Sequence, residues 1–195
     1  MLFRSGQLNA LDPYKAVVIA NPREAFDEKD KFVIDRYIMR GGKVMWLIDG
    51  AHVNSDSLFT TGMTFALPLD LNLDDQLFTY GVRINQVVIQ DIDSNTIPVT
   101  LANGSSQPTL APWLYHPLAN PSPNHVVTRN LSQVWLRYAS DIDTVGRDSG
   151  VRKSVLLQTS EMSRTKGLPF MISLGEIEHM HEQQQIGRAS CRERV

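Results

Sequence analysis

Asn21, Asp49 and His52 are the positions in this 195-residue chain where side-chain type and setting point most directly to ligand chemistry. Asn21 follows an apolar run that ends at Ala20, and Asp49, Gly50 and His52 follow a second that ends at Ile48. Open α/β sheets bind ligands beyond the carboxyl ends of their strands, where an amide, a carboxylate and an imidazole would line a polar crevice. The plainer reading makes Asp49 a turn or cap residue and His52 an exposed histidine, since strand ends are polar in every such fold.

Other reactive sets are weaker. The chain has no Gly-x-Ser-x-Gly elbow, and its one cysteine, Cys191, lies in the last ten residues, so no strand-to-helix nucleophile is expected. His179 and His181, beside Glu178 and Glu182, are metal-ligand types, yet histidines two apart on a helix point in different directions. His116 and His125 are separated by a proline-rich loop with no carboxylate beside them. No metal and no cofactor is therefore expected. Gly41-Gly42 falls at the C-terminal end of an expected helix, the wrong end for an anion, and the Gly-x-x-x-x-Gly-Lys-Ser/Thr phosphate loop is absent.

The elements that must position these residues are clearest between Ala16 and Asp49. Ala16 to Ala20 and Lys43 to Ile48 are apolar on both parities, which predicts parallel strands buried on both faces. Between them Phe26, Val33, Ile34, Tyr37 and Ile38 fall at helical spacings. Asp27 or Glu28 is placed to cap that helix and Gly41-Gly42 to end it, giving a right-handed βαβ unit.

Further along, Ser55 to Leu71 shows no sustained period and is expected to be a loop with at most a short helix. Leu73 to Tyr80 predicts a helix with acidic residues in its first turn, closed by Gly81. Ile84 to Ile92 is the expected third strand of the same sheet. Asp93 to Pro112 reads as loop or hairpin with a weak strand over Ile97 to Leu101. Short strands are expected over Trp113 to Leu118, Val134 to Ala139, Asp141 to Val145, Val155 to Ser160 and Phe170 to Leu174. A helix is expected from Glu176, and Trp46, Trp113 and Trp135, each within an apolar run, are expected in the core.

The tail Ile186 to Val195 (IGRASCRERV) matches a translated sequencing adapter and is set aside as an artefact of the read. The formal net charge is −2, and the tail's three arginines against Glu193 make the remainder more acidic still. With no basic stripe interleaved with aromatics, a nucleic-acid partner is not expected. No apolar run reaches the roughly 18 residues needed to span a bilayer. The chain divides into residues 1–14 as a lead-in from an upstream element, 15–177 as an α/β domain, 178–185 as the start of a truncated helix and 186–195 as the tail. It is expected to be a fragment of a larger protein.

KAVVIANP (Lys15 to Pro22) and KDKFVIDRYIMRGGKVMWLID (Lys29 to Asp49) resemble the extracytoplasmic domain of gliding-motility-associated ABC transporter auxiliary proteins of the GldG type. VWLRYASDIDTV, VLLQTSEMSR and SLGEI continue the resemblance in order, to Ile177. It implies a GIFT-like α/β domain: a Rossmann-like, class I glutamine amidotransferase-like, mostly parallel sheet with flanking helices. It further implies a non-catalytic, substrate-binding-like accessory domain on the periplasmic side of the inner membrane of Bacteroidetes-like bacteria. The partners implied are ABC permease and ATPase subunits and an unknown cargo, with membrane segments outside this piece. The alternative is a small-molecule-binding or hydrolytic α/β domain using the crevice near Asn21, Asp49 and His52.

Overall fold

A computed structural model describes residues 9–99, 108–146 and 150–177. In chain order its elements are β1 (Val17–Ala20), α1 (Glu28–Met39), β2 (Val44–Leu47), β3 (Ala51–Val53), α2 (Ser55–Thr61), β4 (Met63–Pro68), α3 (Asp74–Thr79) and β5 (Val82–Ile84). There follow β6 (Val87–Gln90), β7 (Ser94–Val99), β8 (Thr109–Pro121), β9 (Val134–Trp135), β10 (Ile142–Thr144), β11 (Leu157–Gln158), β12 (Arg164–Gly167) and β13 (Phe170–Ser173). The chain forms two compact units, each built from more than one stretch of sequence.

The first unit contains the expected βαβ. β1 and β2 are parallel, with Val17 opposite Val44 and Ala20 opposite Leu47. Asp27 caps α1 by accepting the Asp30 backbone N–H at 2.7 Å, and Gly41, at φ +88°, takes the left-handed turn that ends it. Val33, Ile34 and Tyr37 of α1 pack on Val17, Ile19, Val44 and Trp46. The opposite face of the ribbon is bare: Val18, Met45 and Leu47 are exposed, so the two runs are not buried on both sides. One helix over two strands covers one face, and apolar residues on both parities do not themselves supply a second layer.

α3 lies where expected and is tied to α1 by polar contacts. Lys31 donates to Asp75 at 2.8 Å, Gln76 Nε2 donates to the Lys31 carbonyl at 3.2 Å, and the Tyr80 hydroxyl donates to Asp35 at 2.6 Å. Leu71, Leu73 and Leu77 bury against Phe26, Trp46 and Val82. β5 closes this unit by pairing antiparallel with β10, where Arg83 meets Asp143 at 2.7 Å.

The second unit is antiparallel throughout its described pairings. β8, 13 residues long, pairs with β7, β9 and β11; β12 pairs with β6; and β4 lies between β13 and β3. Ala111, Trp113, Tyr115, Pro117 and Ala119 alternate inward along β8. Trp113 and Tyr115 are joined by Leu58, Val88, Tyr138 and Ile172 in one buried cluster.

The Rossmann-like, mostly parallel sheet with flanking helices is therefore not the architecture. Small antiparallel sheets dominate, and β1 with β2 is the one parallel pair among the described residues. The expected third strand over Ile84 to Ile92 splits into β5 and β6, which pair antiparallel with β10 and β12 in separate sheets. Asn85 and Gln86 break the run, and each half finds its partner far along the chain, β10 for β5 and β12 for β6, in a pairing that local sequence does not specify. Ser55 to Leu71 holds the short helix allowed for there, α2, but also the strand β4 where loop was expected, and only Val134 and Trp135 of VWLRYA pair as strand. Trp113 is buried as expected, whereas Trp135 is 49% exposed. The helix expected beyond Ile177, His179 and His181, and the tail 186–195 with Cys191 all lie outside the described residues.

Candidate functional site

The parallel pair places two of the three predicted site residues just past the ends of its two adjacent strands. Asn21 directly follows β1 and Asp49 comes two positions after Leu47, which is Ala20's partner in β2. Asn21 takes a left-handed φ of +49°, a conformation its short amide side chain tolerates, and donates its backbone N–H to the Leu47 carbonyl at 2.8 Å. The Arg23 guanidinium stands 3.9 Å from the Asp49 carboxylate, and both side chains are about half exposed. Amide, guanidinium and carboxylate at one strand edge can bind a small polar group through hydrogen bonds. They include no nucleophile. His52 belongs to β3 in the other unit, where it faces Leu67 across the β3–β4 ladder.

The second unit holds polar clusters that no sequence pattern announced. The Tyr115 hydroxyl donates to Glu176 at 2.8 Å, and Lys166 reaches that hydroxyl at 3.4 Å while lying 4.3 Å from the Phe170 ring centroid. Burial first, and then the Glu176 carboxylate, push the Tyr115 phenol well above its ordinary range. A phenol held protonated in this way serves as a donor that braces β8 against the chain after β13, not as a base. Asp91, buried at the end of β6, accepts the Ser160 backbone N–H at 2.8 Å and also bonds the Ser160 hydroxyl. These partners are separated by 61 and 69 positions, so no spacing rule could have paired them.

His116, set apart at the sequence level by its lack of a carboxylate neighbour, is buried on β8. Its ring lies 5.6 Å from that of Trp135 and 5.0 Å from that of Tyr138, both edge-on. Burial, with a smaller contribution from the Arg137 charge, lowers its pKa to about 4, so the imidazole is neutral near pH 7. No group of three or more His, Cys, Asp or Glu side chains among the described residues is arranged to hold a metal ion. No helix among them is long and apolar enough to cross a membrane.

The largest anomaly is apolar. An antiparallel sheet with one wet face normally alternates apolar and polar residues. β4 instead turns Ala66 inward and leaves Met63, Phe65 and Leu67 exposed, Phe65 by 61%. Met171 of β13, paired with Phe65, is exposed beside it, and Phe59 of α2 is exposed as well.

Comparison with known proteins bears on these surfaces. No curated protein matches the chain. Among solved structures, the mmIFT52 N-terminal domain is similar at TM-score 0.53 and 16% identity, over 83% of this chain and 64% of that one, a likeness of fold alone. This chain thus spans less than two thirds of that structure's length. The family model described as an ABC-type uncharacterized transport system, of auxiliary type, matches residues 4–189. With nearly its whole length matched, this chain belongs to that family of auxiliary components of ABC-type transport systems.

Proposed function

We propose that the chain is a non-catalytic, extracytoplasmic accessory domain of a membrane ABC transporter linked to gliding motility, and that it works by docking on another subunit of that complex. The observation that carries this reading is the exposed face of Met63, Phe65, Leu67 and Met171. Four large apolar side chains on neighbouring strands are costly to leave in water and form a patch suited to a protein contact. Membership of a transport-system family makes a permease or ATPase-associated subunit the natural occupant. A photoreactive residue at position 65, in the complete protein in its host, is expected to crosslink to such a subunit. Capture of cytosolic enzymes alone, or of nothing, would overturn the reading.

A second reading draws on Asn21, Arg23 and Asp49 as a small polar-ligand site at the end of the parallel pair. A rise in Tm with a sugar, peptide or nucleotide that disappears in Asp49→Ala would favour it. The same rise in the variant would remove it.

A further inference from the structure

The chain between Asp93 and Asp141 contains no Asp or Glu at all, although the whole molecule is net acidic. Its formal cations are Arg129 and Arg137. Within this stretch the loop after β8 holds two adjacent valines at its surface. Val126 is 77% exposed and Val127 66%, the first and third most exposed of the large apolar side chains described.

This exposure is built in. Thr128, next in sequence, is buried and donates its hydroxyl to the Ser122 carbonyl at 2.7 Å. The Val127 backbone N–H donates to His125 Nδ1 at 3.2 Å, and the Arg129 N–H donates to the His125 carbonyl at 2.9 Å. The Leu131 N–H then donates to the Thr128 carbonyl at 2.9 Å. A turn pinned on both sides of the valines cannot fold them back. Among the described residues the Arg129 side chain is exposed and makes no ion pair. The chain leaves the turn through the exposed Leu131 and the half-exposed Trp135. Just past the turn, Gln133 donates to the Asp93 carboxylate at 2.6 Å, and farther back on β8 Tyr115 holds Glu176.

We infer that the Ser122–Leu131 loop dips into the interfacial region of a phospholipid bilayer, with Val126 and Val127 entering the acyl boundary and Arg129 meeting the lipid phosphates. Shallow insertion of an apolar tip flanked by a cation, with an indole a few residues on, is the chemistry that membrane interfaces select. The absence of carboxylates over so long a stretch fits an anionic surface and not a basic partner. This contact goes beyond the subunit docking proposed above, and it uses residues on different elements.

The 195-residue chain would be tested by co-sedimentation with vesicles of phosphatidylcholine alone and of phosphatidylcholine mixed with phosphatidylglycerol. Binding to the mixed vesicles is expected, weakened at least about tenfold by V126D/V127D and several-fold by Arg129→Ala. No binding to either vesicle, or equal binding by V126D/V127D, overturns the inference. An independent readout places an environment-sensitive fluorophore at Val127→Cys in a Cys191→Ser background. A blue shift on adding mixed vesicles supports lipid entry. No shift, or a shift only with a purified transporter subunit in the absence of lipid, overturns it.

Discussion

Asp91 and Ser160, 69 positions apart, meet through both the backbone N–H and the hydroxyl of the serine, and Asp91 also accepts the Asp93 N–H at 3.0 Å. One buried carboxylate thereby fixes the end of β6 to the turn after β11. Both of its oxygens accept and its charge is shared among three donors, which is how a buried Asp becomes tolerable.

Replacing Asp91 by Ala is expected to leave the Ser160 and Asp93 N–H groups without an acceptor and to destabilise the second unit by about 2–4 kcal/mol. Ser160→Ala loses the hydroxyl bond but keeps the N–H bond, at about 1 kcal/mol. Urea unfolding of the two variants checks the ratio; equal costs would mean the backbone bond carries nothing.

Gly42 is required by contact, not by conformation. A Cβ there would overlap the ring of Tyr37, which is buried and donates its hydroxyl to the Tyr14 carbonyl at 2.9 Å. Gly42→Ala is expected to cost about 1–3 kcal/mol through overpacking. The double variant Gly42→Ala with Tyr37→Leu, which shortens the side chain in the way, should cost less than the sum of the singles in thermal denaturation.

Lys31 and Asp75 give an ordering. The lysine is buried and its ammonium bonds Asp75 and, at 3.2 Å, Glu28, whereas both carboxylates are largely in water. Asp75→Ala strands a buried ammonium on one weaker partner; Lys31→Met keeps the apolar stem and frees two carboxylates to hydrate. The aspartate variant is therefore expected to be the less stable of the two, as read by chemical denaturation. The reverse order would show that solvent reaches the ammonium.

The βαβ unit was legible in the sequence because local chemistry specifies it: Asp27 at the cap, Gly41 at the stop, β-branched runs on either side. Pairing beyond it was not. Nothing in Val87–Gln90 states that its partner is Arg164–Gly167, because strand register is written in tertiary packing and not in local propensity. The site was half legible for the same reason. Asn21 and Asp49 inherit their closeness from the parallel pair, while His52 starts an antiparallel ladder in another unit. Exposure was the least legible property of all: the stretch that holds β4 reads as loop, so nothing local marks Met63, Phe65 and Leu67 as one exposed strand face.

His116 makes the fold sensitive to acid. Neither ring nitrogen has a hydrogen-bond partner among the described residues, and the ring is enclosed by Trp135 and Tyr138. An unfolded histidine takes up its proton near pH 6.5, but the buried one resists until about pH 4. Between those values the unfolded chain binds more protons than the folded chain, so protonation favours unfolding. The stability contributed by the neutral ring is complete above pH 6.5, falls as the pH drops through the window and is lost near pH 4. His116→Phe keeps an aromatic ring between the same neighbours and removes the titration. The urea midpoint of the wild type is therefore expected to fall relative to that of His116→Phe as the pH is lowered from 6.5 toward 4, with the gap opening before the surface carboxylates titrate. Curves that stay parallel over that range would mean that the folded protein accepts the proton at His116 as readily as the unfolded chain does.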